Sequence, residues 1–242
     1  YLKSHGFTVI ENFLNTDEIN LYKKLIDTYF ENGKNRCKGY TKAPTSTLKP
    51  DGINDSHFEP MKNIFKQDIL VKTIRKITNN KVRYVHHFDI HLNMPGAKGW
   101  HSDVQNIYHS GGKHLTNDQG GVWEENGENY GVYRMAIYMQ DHRNGGGLSV
   151  IPASHIIPEN EHKLFNNINI EQFEEPFYIP TKAGDCVLFD VRLLHRGEHY
   201  NGNRYSIFTA MGTDNEFSKG HAKGAIDRQL RQNFQEKYIL QP

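Results

Sequence analysis

The chain changes its hydrophobic period about a third of the way along. Phe7-Thr8-Val9-Ile10 is a short β-rich run that reads as a strand. Asn15-Thr16-Asp17-Glu18 then supplies a capping residue and an acidic first turn. Tyr22, Leu25, Ile26, Tyr29 and Phe30 follow at helical spacing, which predicts a helix over 16–31. Residues 32–60 are rich in Gly, Pro, Lys, Asp and Asn and carry no period, so they read as a long surface loop near a site entrance. Ile69, Leu70, Ile74 and Ile77 predict a second helix over about 66–78, stopped by Asn79-Asn80.

From Val82 onward the apolar positions come in short β-rich runs. These are Val82–Leu92, Tyr133–Gln140, Leu148–Ile151, Pro176–Ile179, Cys186–Val191 and Arg204–Met211. Turn signals separate them, among them Pro95-Gly96, Pro152 and Ala183-Gly184-Asp185. Many short strands with turns between them predict a sandwich or barrel. Helical spacing returns at Ile226, Leu230 and Phe234, within 222–239. The layout is a single domain over 1–242: two helices buttressing a mainly β core over about 82–212, then a tail over 213–242. No repeat or low-complexity linker divides it.

Composition narrows the function classes. A chain of 242 residues supports one large core. Its 29 Lys and Arg against 28 Asp and Glu argue against a phosphate-tracking surface, so no nucleic-acid partner is expected. No apolar run approaches the length of a membrane span, so no membrane partner is expected either. Cys37 and Cys186 form no disulfide framework and no zinc spacing, which points to a reducing, cytoplasmic setting. No signal peptide is visible in a sequence that starts at Tyr1. A small-molecule substrate remains, and nothing in the sequence speaks to the oligomeric state.

Candidate chemistry lies in three segments, WHSDV (100–104), LLHRG (193–197) and NRYSIF (203–208). Side chains two apart on a strand share a face, so His101 and Asp103 project together and Ser102 points away. A distant His195 then completes two imidazoles and one carboxylate. That set can occupy one face of a divalent first-row metal and leave the other open, as in non-haem iron oxygenases. Arg204, nine residues after His195, opens a strand whose Ser206 shares its face. A guanidinium fork with a hydroxyl suits a carboxylate. Histidine number alone means little in a chain with fourteen. His86, His87, His91, His109, His114, His142 and His155 therefore rank below the triad, as pocket-lining, barrel-wall or surface residues. His87 and His91 share one strand face, and His86 faces the other way. Asp190 is either a competing carboxylate near His195 or a turn acceptor.

The sequence resembles the phytanoyl-CoA dioxygenase (PhyH-like) family of Fe(II)/2-oxoglutarate oxygenases. The resemblance is carried by Trp100-His101-Ser102-Asp103, by Gly145-Gly146-Gly147-Leu148-Ser149-Val150-Ile151-Pro152-Ala153-Ser154-His155, by Ala183-Gly184-Asp185-Cys186-Val187-Leu188-Phe189, and by His195-Arg196-Gly197 with Asn201 and Arg204. The family pattern runs W-H-x-D, N-G-x-L-x-x-x-P-G-S-H, G-D-x-x-x-F and H-x-S/G-x-x-x-N-x-x-R. The match spans roughly 95–212, with looser agreement at Gly6–Ile10.

The resemblance implies a double-stranded β-helix (jelly-roll) core and an oxygenase that hydroxylates a C–H bond and releases succinate and CO2. It places Fe(II) at His101, Asp103 and His195, with 2-oxoglutarate chelating the metal and O2 as cosubstrate. Arg204 would pair with the far carboxylate of 2-oxoglutarate, beside Ser206. Arg134, on the strand face of Ala136 and Tyr138, would be a second contact to cosubstrate or substrate. Halogenating relatives replace the metal-bound carboxylate with a small residue, so a retained Asp103 favours hydroxylation. Specificity is expected in 104–131, read as a substrate-covering loop, in 36–60, and at Gln105 and Tyr138. The polar and aromatic character of these stretches points to a small polar metabolite or its conjugate. Two other classes stay open: a non-redox cupin-type isomerase or epimerase, which needs no Arg204, and an inactive jelly-roll binding module.

Overall fold

The structure, a computed structural model, describes residues 1–31, 47–49, 52–94, 96, 99–103, 124–125, 128–129, 131–156 and 175–231. The first turn of helix, α1 (Leu2–His5), passes through Gly6 into strand β1 (Phe7–Ile10). Gly6 is left-handed at φ 84°, and a Cβ there would lie 2.6 Å from Leu193 Cδ1 and 2.7 Å from His155 Nδ1. Both backbone and space therefore require glycine.

Helix α2 (Thr16–Phe30) starts on the expected capping residue, which the structure extends to a full capping box. The Asn15 side chain accepts from Glu18 N–H and the Glu18 carboxylate accepts from Asn15 N–H, each at 2.9 Å. Its buried face is Tyr22, Ile26 and Phe30. Residues 32–60, expected as one loop, are different over their described part. Thr47–Lys49 is strand β2, and a short 3₁₀ turn (Gly52–Asn54) leads to a 3₁₀ helix over Ser56–Lys66. The Asp55 carboxylate caps that helix by accepting from His57 N–H at 3.0 Å. Phe58, Met61 and Ile64 are its buried residues. Their spacing of three is the 3₁₀ period, which a search at 3.6 residues passes over, and Pro60 further obscures it. Helix α3 (Asp68–Ile77) buries Leu70 and Ile74 and leaves Ile69 exposed.

The remaining strands are β3 (Val82–Leu92), β4 (Glu124–Glu125), β5 (Glu128–Asn129), β6 (Val132–Tyr138), β7 (Leu148–Val150), β8 (Phe177–Ile179), β9 (Cys186–Asp190), β10 (His195–Gly197) and β11 (Tyr205–Thr213). They form a six-stranded sheet ordered β1-β9-β6-β11-β3-β2, a three-stranded sheet ordered β10-β7-β8, and the small β4-β5 pair. All pairings are antiparallel. An isolated bridge between His101 and His195 sets the 99–103 segment beside β10 in the smaller sheet. The result is the jelly-roll core that the resemblance implied.

Alternation along the strands divides the large sheet into two faces. Phe88, Ile90, Met135, Ile137, Leu188 and Ile207 point outward and form one cluster with Tyr22, Ile26, Phe58, Met61, Leu70 and Ile74. The helices thus buttress this sheet by covering its outer face. Ala136, Tyr138, Val187 and Phe189 point inward and cluster with Leu148, Val150, Ile179 and Leu193. Each fully buried Phe, Leu or Ile on either face contributes about 1.5–3 kcal/mol. Polar residues interrupt this inner face along β3 (His87, Asp89) and at Arg134 and Ser206, and the candidate site lies among them.

Over its described part, residues 213–231, the expected tail is instead the end of β11 and a helix. Helix α4 (Glu216–Arg231) begins six residues before the expected start at 222. Phe217 and Ala222 close a small core with Val85, Val132, Val191 and Ala210. The helix was under-read because it packs through small residues such as Ala222 and Ala225, which give little periodic signal. Phe234 and Cys37 lie outside the described residues. Among the described residues no helix is long and apolar enough to cross a membrane.

Candidate active site

The site is built where β9 hands the chain to the smaller sheet. His195 does not continue the Cys186–Asp190 strand. It opens β10 after a turn through Val191–Leu194. Leu193 N–H donates to Asp190 C=O at 2.9 Å, and Arg192 grips the Asp190 carboxylate with Nε and Nη2 at 2.8 and 2.7 Å. Asp190 is therefore the turn acceptor. The Pro152-Ala153-Ser154-His155 segment has a structural role beside it. Ser154 Oγ accepts from Leu194 N–H at 2.8 Å, fixing the residue before His195. His155 Nε2 lies 3.0 Å from Lys3 C=O and ties α1 to the core.

Backbone bonds in both directions, 3.1 and 2.9 Å, join His101 and His195, and Asp103 N–H donates to Val191 C=O at 2.9 Å. Together they bring one ligand atom each from His101, Asp103 and His195 within 4.8 Å of one another. The two imidazole centroids are 4.3 Å apart. His101 Nδ1 lies 3.0 Å from Gly99 C=O, and His195 Nδ1 lies 2.8 Å from Leu193 C=O. A carbonyl only accepts, so each Nδ1 carries the proton and each Nε2 keeps its lone pair for a metal. Burial, then the neighbouring His101, pushes the His195 pKa down to about 3. The ring is thus neutral at pH 7, as a metal ligand must be. Two imidazole nitrogens and a carboxylate, without thiolate, fit a divalent first-row metal.

A second polar group lies at the other end of β11. Arg204 precedes the strand, is 5% exposed, and donates its N–H to Asn93 Oδ1 at 2.8 Å. Its Nη1 makes only long contacts, 3.5 and 3.4 Å, to the carbonyls of Met94 and Glu198. The register sets Ser206 between His91 and Tyr138. Arg204 Nε, Ser206 Oγ and His91 Nε2 are buried and have no hydrogen-bond partner among the described residues. Each such group costs about 1–3 kcal/mol if it stays unmet. Two of them beside a guanidinium whose own Nε is unpartnered fit a bound carboxylate. Tyr138 is wholly buried, with the Arg204 Cζ 5.5 Å from its ring centroid. Tyr138 thus stands at this anchor, while Gln105, His109 and His114 lie outside the described residues, as does most of the 104–131 loop.

His142 is structural. Gln140 Oε1 accepts from Tyr205 N–H at 2.8 Å, so the Gln140 amide donates to His142 Nε2 at 2.6 Å. His142 Nδ1 then donates to Gly145 C=O at 3.0 Å and holds the Gly145–Gly147 turn. Arg134 reaches from the inner face of β6 to Asp103 and to His87, which lies 3.0 Å from Asp89. Sequence inspection did not single out Asp89 at all. The signal lies in alternation: His87, Asp89 and His91 fall at every second position of β3 and share one strand face.

Buried neutral imidazoles also make stability depend on pH. His91, like His195, has its pKa pushed down to about 3 by burial. A folded value below the unfolded ~6.5 means the unfolded chain takes up protons first. The stability is complete above pH 6.5 and is lost as pH falls toward 3. The metal-free protein should lose about 5–10 °C of Tm between pH 7 and pH 5 by scanning calorimetry. An unchanged Tm over that interval would mean that these rings are not held neutral.

A jelly-roll core carrying a His-Asp-His cluster and a buried arginine is the architecture of Fe(II)/2-oxoglutarate-dependent enzymes. The chain belongs to the phytanoyl-CoA dioxygenase (PhyH) family, which it matches over residues 2–204. It is therefore an enzyme that works with Fe(II), 2-oxoglutarate and O2. Among solved structures it is similar to EctD from S. alaskensis with 2-oxoglutarate and 5-hydroxyectoine, at 17% identity and TM-score 0.61, covering 88% of this chain and 73% of that one. It is also similar to the non-heme alpha ketoglutarate dependent carbocyclase SnoK from nogalamycin biosynthesis, at 14% identity and TM-score 0.64, covering 88% and 81%. The epimerase SnoN from the same biosynthesis gives 13% identity and TM-score 0.63, covering 87% and 78%. At these identities the likeness is one of fold. A sequence comparison with curated proteins finds no match.

Proposed function

We propose that the chain hydroxylates a C–H bond of a small polar metabolite or its conjugate. In this reading His101, Asp103 and His195 hold Fe(II), and Arg204 with Ser206 anchors the far carboxylate of 2-oxoglutarate. The observation that carries it is the pair of Nε2 lone pairs gathered with a carboxylate within 4.8 Å. When bound, iron with 2-oxoglutarate and O2 supplies the oxidation: the substrate C–H becomes C–OH, and 2-oxoglutarate leaves as succinate and CO2.

The protein's own part is orientation and exclusion of water. The backbone carbonyls of Gly99 and Leu193 fix both imidazole tautomers. Phe189, 4.8 Å from the His195 ring, supplies an apolar wall. Arg204 gives a fixed cation for a dicarboxylate, which a non-redox isomerase would not need. The retained Asp103 favours hydroxylation over halogenation, which by family resemblance calls for a small residue there. Contacts to substrate are assigned to Gln105 and the 104–131 loop.

A screen of polar metabolites for 2-oxoglutarate-dependent succinate release tests this reading. The expected result is a substrate that raises succinate release and gains one oxygen atom by mass spectrometry. Isomerised substrate without succinate would replace hydroxylation by non-redox chemistry.

A further inference from the structure

The three candidate ligands are not held equally. Asp103 and His195 are buried, whereas His101 is half-buried. Its segment, 99–103, joins the smaller sheet through an isolated bridge to His195 and a backbone bond from Asp103 N–H to Val191 C=O. A bridge of one residue pair fixes side-chain direction far less than a full ladder does. The outer face of the smaller sheet makes up the difference. His101 opposite His195 sets Trp100 opposite Arg196, and alternation turns both away from the ligand atoms. Arg196 in turn pairs with Ser149 of β7. A row of side chains thus crosses three segments behind the candidate ligands. Glu198 ties the row together: its Oε1 accepts from Ser149 Oγ at 2.6 Å and from Arg196 Nε at 2.8 Å. The guanidinium so held lies over the Trp100 indole, with Cζ 4.8 Å from the ring centroid. Glu198 is itself fixed by its backbone, whose N–H donates to Gly147 C=O at 2.9 Å. At 39% and 28% exposure, the Arg196–Glu198 pair adds little to stability through its charge. What it fixes is direction.

We infer that Trp100, clamped from Ser149 through Glu198 and Arg196, is a positioning residue for His101, an inference that rests on His101 being a metal ligand. The indole neighbours His101 in the chain and lies on the opposite face, so pinning it to Arg196 turns the imidazole inward. The clamp also keeps Gly99 C=O 3.0 Å from His101 Nδ1, the contact that leaves Nε2 free for an ion. Without it the 99–103 segment can rotate about its bridge, and His101 is the ligand displaced. His195 does not depend on the clamp, because it sits within β10 and has Leu193 C=O 2.8 Å from its Nδ1.

Co(II) is the probe for metal affinity, and nitrogen NMR of the histidine rings in mildly alkaline, metal-free solution reads the tautomers. Arg196→Met keeps an apolar stem and loses the cation and the bond to Glu198. It should bind Co(II) about tenfold more weakly, with Tm within about 3 °C of wild type. His101 should show mixed tautomers while His195 keeps its Nδ1–H form. Trp100→Leu should do the same, and the two substitutions together should cost no more than one alone, because both break a single clamp. Arg196→Lys should recover most of the Co(II) affinity, since an ammonium can also lie over the ring. Wild-type Co(II) affinity in either Arg196→Met or Trp100→Leu would overturn the inference. So would equal disturbance of His101 and His195, which would mark a general loosening of the sheet. If Trp100→Leu does not fold, Glu198→Ala frees Arg196 without touching the indole and must disturb His101 in the same way; an undisturbed His101 there overturns the inference too. Full Co(II) affinity in His101→Ala would instead remove the ligand assignment beneath it, so the two failures are distinguishable.

Discussion

Asp103→Asn should fold as wild type does and lose its metal. The amide oxygen of asparagine can still accept from Arg134, so the buried guanidinium keeps a partner. The charge that a divalent ion needs is gone. Mn(II) or Co(II) affinity, read by calorimetry, should fall by about 100-fold or more, on the order of 3 kcal/mol. Succinate release should fall with it, because the cosubstrate binds through the ion. His195→Ala should lose metal similarly, since its Nε2 is one of the gathered ligand atoms. Full metal affinity in Asp103→Asn would disprove the ligand set, and a matching change in the circular-dichroism spectrum would show that the fold, not the ligand, had been lost.

The second large effect is expected at Arg204. Arg204→Leu should retain metal affinity, because the guanidinium lies at the far end of β11 and makes no contact with the ligand atoms. Its affinity for 2-oxoglutarate should fall by about 30- to 100-fold, the scale of one charge-assisted pair worth 2–3 kcal/mol. Arg204→Lys should recover part of that loss but not all, since an ammonium cannot form the two-point contact. Calorimetric titration of the metal-loaded variants separates these outcomes. Wild-type 2-oxoglutarate affinity in Arg204→Leu would place the carboxylate anchor elsewhere. The orphaned polar atoms of Arg204, Ser206 and His91 would then need another explanation.

Much of the fold was legible because its signals are local. The Asn15–Glu18 capping box and the spacing of Tyr22, Ile26 and Phe30 gave α2 its bounds to within a residue. Strand β3 runs over the predicted Val82–Leu92. The failures were local signals of an unfamiliar period or low amplitude. Phe58, Met61 and Ile64 follow a spacing of three, and α4 buries small residues, Ala222 and Ala225, beside Phe217. The candidate ligands were legible for a similar reason. His101 and Asp103 are two apart, and His195 and Arg204 follow in a fixed order along the chain.

The sequence by itself determined most of the helices and strands, which of the candidate side chains share a strand face, and the residue types able to hold a divalent ion and a dicarboxylate. Only the tertiary structure decided which of those residues meet. His195 belongs to the smaller sheet because Asp190 and Arg192 close a turn before it. Ser154 matters because its hydroxyl reaches Leu194, forty positions away along the chain. Arg134 finds Asp103 and His87 only once β6, β11 and β3 are in register. Side-chain direction within a strand is set by backbone geometry and can be read from alternation. Partners across strands depend on register, which the packing of both sheet faces fixes together, so they emerge only in the folded chain.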